Sequence, residues 1–212
     1  MRNVVIENPI LAIMRNVPEE KLIPYAEAVV NGGVRFFEVA MNTPGAARQI
    51  RILKDHFKDD VYIGAGTAIT LDRVKAAVSA GARFLLTPST DRVVVLYCEE
   101  NNIPLMPGVM TPTDVSFCYQ HGFKTLKLFP AGDLPQGYVK NLKGPFDGTE
   151  YVAIGGVTPD NIGDFIQRGF IGVGLASAMM PKRIVEKNMW DEGAAYVASL
   201  KRRVEEALGK TV

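Results

Sequence analysis

Short apolar runs recur along the chain, and each is followed by a longer stretch in which apolar residues return at helical spacing. The runs are ILAIMR (10–15), RFFEVAM (35–41), VYIGAGT (61–67), RFLLTPS (83–89), PLMPGVM (104–110), TLKLFPA (125–131), YVAIGGV (151–157) and GVGLAS (172–177). Their Val, Ile, Leu and Phe content and their Gly and Pro boundaries predict strands. The segments between them, such as PEEKLIPYAEAVVNGG and TLDRVKAAVSAGA, predict amphipathic helices. Several helices close on a glycine where a C-cap belongs, at Gly32, Gly81, Gly122 and Gly169. Others open on a capping residue or an early proline, at Thr70, Thr111-Pro112 and Thr158-Pro159. A last helix over about 190–208 carries a Lys/Arg/Glu-rich solvated face.

Eight strand–helix units in 212 residues predict an α/β chain folded as a compact (β/α)8 TIM barrel, a single domain over residues 1–212. A doubly wound open sheet usually has fewer strands and a Gly-rich turn after the first, and MRNVP is not such a turn. No linker, low-complexity tract or second domain interrupts the pattern.

Composition narrows the function without naming it. The chain is 47% hydrophobic and 22% charged, with a net charge of +1, so no basic field points to nucleic acid or to an anionic membrane. No apolar run has transmembrane length, and the start shows no signal peptide. Cys98 and Cys118 have no close-spaced partner that would make a metal or redox motif. Both fall in predicted helices, where buried, inert thiols are expected. The expectation is a reduced, cytoplasmic protein.

Strand alternation locates the candidate chemistry. In TLKLFP, Leu126 and Leu128 face the helices, while Thr125, Lys127 and Phe129 face the barrel interior. Desolvation of Lys127 there yields a neutral amine able to attack a ketone; the alternative is a lysine that reaches solvent or pairs with an acid. In RFFEVAMNTP, Glu38 is the only acid of an apolar strand and can approach Lys127 across the barrel, as a general acid/base or as a structural ion-pair partner. Arg15 ends the first strand and Thr67 the third; each suits a substrate carboxylate, or local capping. Gly155-Gly156 and Ala176-Ser177 follow the last two strands, where such barrels build phosphate cradles, although glycines there also make tight turns.

The ordered motifs AIMR, GGVRFFEVAMNTP, IGAGTAIT, LTPSTD, PGVMTPTD, LKLFPA, KGPF and AIGGVTPDNI, over about 9–177, resemble the 2-keto-3-deoxy-6-phosphogluconate (KDPG) aldolase family. That family includes 4-hydroxy-2-oxoglutarate (KHG) and 2-keto-3-deoxy-6-phosphogalactonate (KDPGal) aldolases. The resemblance implies a class I aldolase that needs no metal or cofactor and is commonly a homotrimer. It implies Lys127 as the Schiff-base lysine, Glu38 as the general acid/base, and Arg15 and Thr67 as the carboxylate site. Pro88 and Phe129 would line the pocket, and Gly155, Gly156, Ala176 and Ser177 would bind phosphate. Two departures stand out. Asn42 replaces an arginine common in KDPG enzymes, and Ile154 replaces a threonine before the Gly-Gly pair; both variants lean toward the KDPGal branch. Ala176, in place of a common glycine, does not favour that branch.

A sugar-phosphate isomerase or epimerase would use paired acids or metal ligands at strand ends. Here His56 falls in a predicted helix and His121 near a helix end. A non-catalytic sugar-phosphate binder could lose Lys127 or Glu38, and the chain keeps both. The KRIVEK segment (182–187) is expected to be solvated surface, with a basic residue available to a phosphate.

Overall fold

The computed structural model describes residues 1–209. Its strands are β1 (Ile10–Met14), β2 (Phe36–Ala40), β3 (Tyr62–Gly66), β4 (Leu85–Leu86), β5 (Leu105–Met106), β6 (Gly108–Val109), β7 (Thr125–Leu128), β8 (Glu150–Ile154) and β9 (Gly172–Leu175). Its α-helices are α1 (Arg2–Glu7), α2 (Leu22–Asn31), α3 (Ala46–Phe57), α4 (Leu71–Ser79), α5 (Arg92–Glu100), α6 (Pro112–Gln120), α7 (Tyr138–Lys143), α8 (Ile162–Gln167), α9 (Lys182–Glu186) and α10 (Trp190–Ala207). All strands lie in one parallel sheet of order β5-β4-β3-β2-β1-β9-β8-β7-β6.

β5 and β6 are halves of one strand split at Pro107, which has no N–H for a ladder. The first half pairs with β4 and the second with β7. The Pro107 carbonyl accepts the Lys127 N–H at 3.0 Å, and the Gly108 N–H turns to Thr87 Oγ1 at 3.0 Å. The split strand therefore closes the ring, and the expected TIM barrel is the observed fold.

Alternation divides the apolar residues into two layers. Leu11, Ile13, Phe36, Phe84, Leu86, Met106, Val152 and Ile154 fill the barrel interior. Their neighbours Ala12, Met14, Phe37, Val39, Leu126, Leu128 and Ala153 pack outward against the helices. Burial of each large side chain contributes roughly 1.5–3 kcal/mol. The interior is crowded: a Cβ on Gly64 would lie 2.3 Å from the Phe84 ring.

The sequence pattern did not reveal α1. Its single buried residue, Val5, joins the interior cluster and packs where a Cβ on Gly172 would lie, 2.7 Å away. One anchor on a six-residue helix leaves no periodicity to detect. Arg2 pairs with Glu150 at the start of β8, at 2.7 Å, so α1 plugs the N-terminal end of the barrel.

Most strands are shorter than predicted because the residues past their C-terminal ends turn into the loops. Gly81, Gly122 and Gly169 follow their helices at φ +93°, +81° and +94°, as expected of left-handed caps. For α2 that role belongs to Gly33 (φ +89°) rather than Gly32. Gly32 instead admits Val197 of α10, which lies 2.5 Å from an ideal Cβ there. Thr70 and Thr111 cap α4 and α6, the latter in a capping box with Asp114. α8 opens at Asn161, not at Thr158-Pro159: the Thr158 N–H donates to Asn161 Oδ1 at 2.7 Å and makes a turn ahead of the helix. Cys98 and Cys118 are buried and free, and burial pushes each thiol up to about 11. Among the described residues no helix is long and apolar enough to cross a membrane.

Candidate active site

The C-terminal ends of the strands open into a cavity of about 800 Å³. Every residue singled out from the sequence lines it: Lys127, Glu38, Arg15, Thr67, Pro88, Phe129, Ile154, Gly155, Gly156, Ala176 and Ser177. The inward alternation of β7 and β2 therefore brings Lys127 and Glu38 to one chamber, as expected.

Both are deeply buried, Lys127 at 6% exposure and Glu38 at 1%. Burial pushes the Glu38 carboxyl up, against the opposing pull of Lys127 and Arg15. Burial pushes the Lys127 amine down; Glu38 opposes the shift and Arg15 adds to it. Burial thus disfavours the charged form of both groups, while their attraction for each other opposes it. Glu38 Oε2 has no hydrogen-bond partner, so the pair is not closed through that oxygen. Lys127 Nζ lies over the Phe129 ring, 5.1 Å from its centroid.

Gly66 makes room for the acid. β2 and β3 run side by side, and an ideal Cβ at Gly66 would overlap the Glu38 carboxyl. Thr67 follows at once, at φ +54°. On the other side of β2, the loop after β1 presents Arg15. There Asn16 also takes a left-handed φ of +54°. Its N–H donates to Thr43 Oγ1 at 3.2 Å, and the Val17 carbonyl accepts from Gln49 Nε2 at 2.9 Å. Thr43 and Gln49 are both buried.

The far end of the cavity is more exposed and built of backbone. Gly155 and Gly156 have φ of +88° and +76°, which glycine alone adopts without strain. The Gly132 N–H donates to the Gly155 carbonyl at 2.9 Å, and a Cβ on Gly156 would lie 2.8 Å from the Gly132 Cα. Asn161 Nδ2 ties the Gly156 carbonyl at 2.9 Å. Ala176 and Ser177, both exposed, enter the short turn Ser177–Met179 beside it.

The charged side chains of the lining are Arg15, Lys127 and Lys182 against Glu38. This balance suits a ligand with an anion at each end. Sequence reasoning did not place Asn16, Val17, Tyr25, Gly174 or Met180 in the lining; only the fold brings these separate segments together. Among the described residues no group of three or more His, Cys, Asp or Glu side chains could hold a metal. His56 and His121 instead face Glu27 and Glu99, at 3.0 and 2.7 Å.

Comparison with known proteins adds to this geometry. The family model for KDPG and KHG aldolase matches residues 1–195. A 2-dehydro-3-deoxy-6-phosphogalactonate aldolase of Escherichia coli is 28% identical, covering 93% of this chain and 97% of its own length. A 2-dehydro-3-deoxy-phosphogluconate aldolase of Pseudomonas aeruginosa is 30% identical, covering 86% and 81%. A crystal structure of KDPG aldolase from Legionella pneumophila, with pyruvate captured as a covalent carbinolamine, superposes with a TM-score of 0.83. It is 28% identical and covers 93% of this chain and 96% of that one.

Proposed function

The chain belongs to the KDPG and KHG aldolase family, and on that premise we propose that it is a class I aldolase. Its reaction is the reversible cleavage of a 2-keto-3-deoxy-6-phospho-sugar acid to pyruvate and glyceraldehyde 3-phosphate. The observation that carries the proposal is the burial of Lys127 and Glu38 together in one chamber, with the amine pushed down and the acid pushed up.

The proposed mechanism starts from the forms that burial favours, a neutral Lys127 amine and a protonated Glu38. Neutral Lys127 attacks the C2 ketone to give a carbinolamine, and protonated Glu38 gives its proton to the departing hydroxyl, leaving an iminium and a Glu38 carboxylate. The carboxylate then takes the C4 hydroxyl proton. The C3–C4 bond breaks, its electrons flow into the iminium, and aldehyde and enamine result. Glu38, protonated again, returns the proton to C3 of the enamine. Water adds to the new iminium with Glu38 as base, and collapse of the carbinolamine releases pyruvate and the free amine. Protons and charges balance over the cycle with no other titratable side chain.

Arg15, exposed on the loop after β1, and half-buried Thr67 hold the substrate carboxylate beside the buried pair. Pro88, Phe129 and Ile154 shape the middle of the pocket. The Gly155, Gly156, Ala176 and Ser177 backbone, with Lys182 nearby, receives the phosphate. Asn42 and Ile154, the variants that resemble the KDPGal branch, support the galactonate epimer, and the aliphatic Ile154 offers no hydrogen bond to a hydroxyl at C4. The family resemblance further supports a homotrimer, and exposed apolar side chains at Val93 and Leu96, one turn apart on α5, suit an intersubunit contact. Two free, buried cysteines suit a cytoplasmic setting.

The test is intact mass and peptide mapping after pyruvate plus borohydride, on the wild type and on Lys127→Ala. A reduced pyruvyl adduct on Lys127 that is lost in the variant is expected. No adduct, or one on another lysine, would overturn the assignment.

A further inference from the structure

We infer that Arg73 is a positioning residue for the carboxylate end of the pocket, acting by holding Thr67 in a backbone conformation that threonine disfavours. The inference rests on the aldolase reading of the cavity. Five non-glycine residues among those described have positive φ: Asn16, Lys58, Thr67, Asn102 and Asn188. Thr67 is the β-branched member of the set, and a β-branched residue at φ +54° is an outlier because its Cβ substituents crowd the backbone. Such a conformation persists only where the surroundings hold it, and it also lies in the lining of the cavity.

What holds it is visible on both sides. The Thr67 carbonyl accepts from Arg73 Nη1 at 3.2 Å. Arg73 is fixed in turn by the first turn of α4, where its N–H donates to the capping hydroxyl of Thr70 at 3.3 Å. On the next residue, the N–H of buried Ala68 donates to the Leu86 carbonyl at 3.2 Å. Relaxing Thr67 toward an ordinary φ would turn its carbonyl away from Arg73 and strain the Ala68 bond. Just upstream, Gly66 lies against the Glu38 carboxyl. The clamp therefore fixes the direction of the Thr67 hydroxyl next to the acid, although the half-buried Arg73 is not part of the cavity lining.

The experiment is borohydride trapping on Lys127 with two ketones, pyruvate and acetone, each over a concentration series, for the wild type, Arg73→Met and Arg73→Lys. Acetone offers the same carbonyl without a carboxylate. In Arg73→Met the pyruvate concentration for half-maximal trapping should rise about tenfold, the scale of one lost hydrogen bond to a charged group. The acetone series should not move, and Arg73→Lys, which keeps a donor, should recover part of the loss. An equal shift for both ketones, or none for either, would overturn the inference and leave Arg73 a merely structural residue. If Arg73→Met does not fold, the lysine variant carries the same comparison with a smaller shift. A wild type that traps no pyruvate would instead defeat the aldolase reading, and this inference with it.

Discussion

Alanine at position 66 would place one methyl group in the space occupied by the Glu38 carboxyl. An ideal Cβ there lies 1.4 Å from Glu38 Oε1, 2.0 Å from its Cδ and 2.7 Å from its Cγ. Non-bonded heavy atoms rest about 3.5 Å apart, so the carboxyl must swing away by roughly 2 Å. A general acid/base works within about 3 Å of the proton it moves, and losing one costs about 100- to 10,000-fold in rate. Gly66→Ala should therefore lower kcat for cleavage into that range, followed by pyruvate release. Gly64→Ala is the control: it is the register partner of Glu38 on the same inward face, yet the atoms nearest its Cβ would be those of the Phe84 ring, at 2.3 Å, and not the carboxyl. Both variants overpack the interior and should lose about 1–3 kcal/mol of stability, which a thermal melt reads, but only Gly66→Ala should lose the proton transfer. A Gly66→Ala enzyme with kcat within about threefold of wild type, or an equal loss in Gly64→Ala, would refute the placement of Glu38 at the reacting atoms.

Lys182→Gln should weaken kcat/KM for the phosphorylated substrate by about two- to fivefold, since an exposed ion pair contributes up to about 1 kcal/mol. It should leave unphosphorylated 4-hydroxy-2-oxoglutarate unchanged, and steady-state kinetics on both substrates checks the difference. The buried pair also predicts opposite pH dependences of stability. The folded value of Lys127 lies below the ordinary 10.5, so its contribution is complete above 10.5 and lost as pH falls through the folded value. The thermal margin of Lys127→Met over wild type should widen as pH falls. Glu38 is shifted the other way from 4.5, so the margin of Glu38→Gln should widen as pH rises. Denaturation midpoints across pH decide the matter; a Lys127→Met margin that shrinks toward acid would contradict the burial argument.

The inward placement of Lys127 and Glu38 was legible because strand alternation is strict: Leu126 and Leu128 are apolar on the helix side, so the lysine between them has one direction left. The place of the glycine pair was legible for a related reason, since the strand–helix alternation puts Gly155 and Gly156 at the C-terminal end of β8, where both line the cavity. Other features leave no pattern. Gly66 looks like any small strand residue until the Glu38 carboxyl is seen against it. The left-handed φ of Thr67 contradicts its residue type, so propensity points away from it. Arg73, Thr43 and Gln49 act through hydrogen bonds to loop backbone whose partners only the folded chain identifies. The break at Pro107 was hidden inside a run that still serves as one strand position.

The plug formed by α1 also bears on traffic through the molecule. With the interior packed from Val5 upward through Phe36 and Phe84, the chamber is a blind alley: Lys127 and Glu38 sit near its floor, while Ala176 and Ser177 are exposed at its entrance. In the proposed reaction, pyruvate is anchored on the inside and the aldehyde is formed on the outside. The aldehyde must leave before pyruvate can follow, and in synthesis pyruvate must enter before the aldehyde closes the way behind it. A queue of this kind needs no moving lid, because depth alone sets the order.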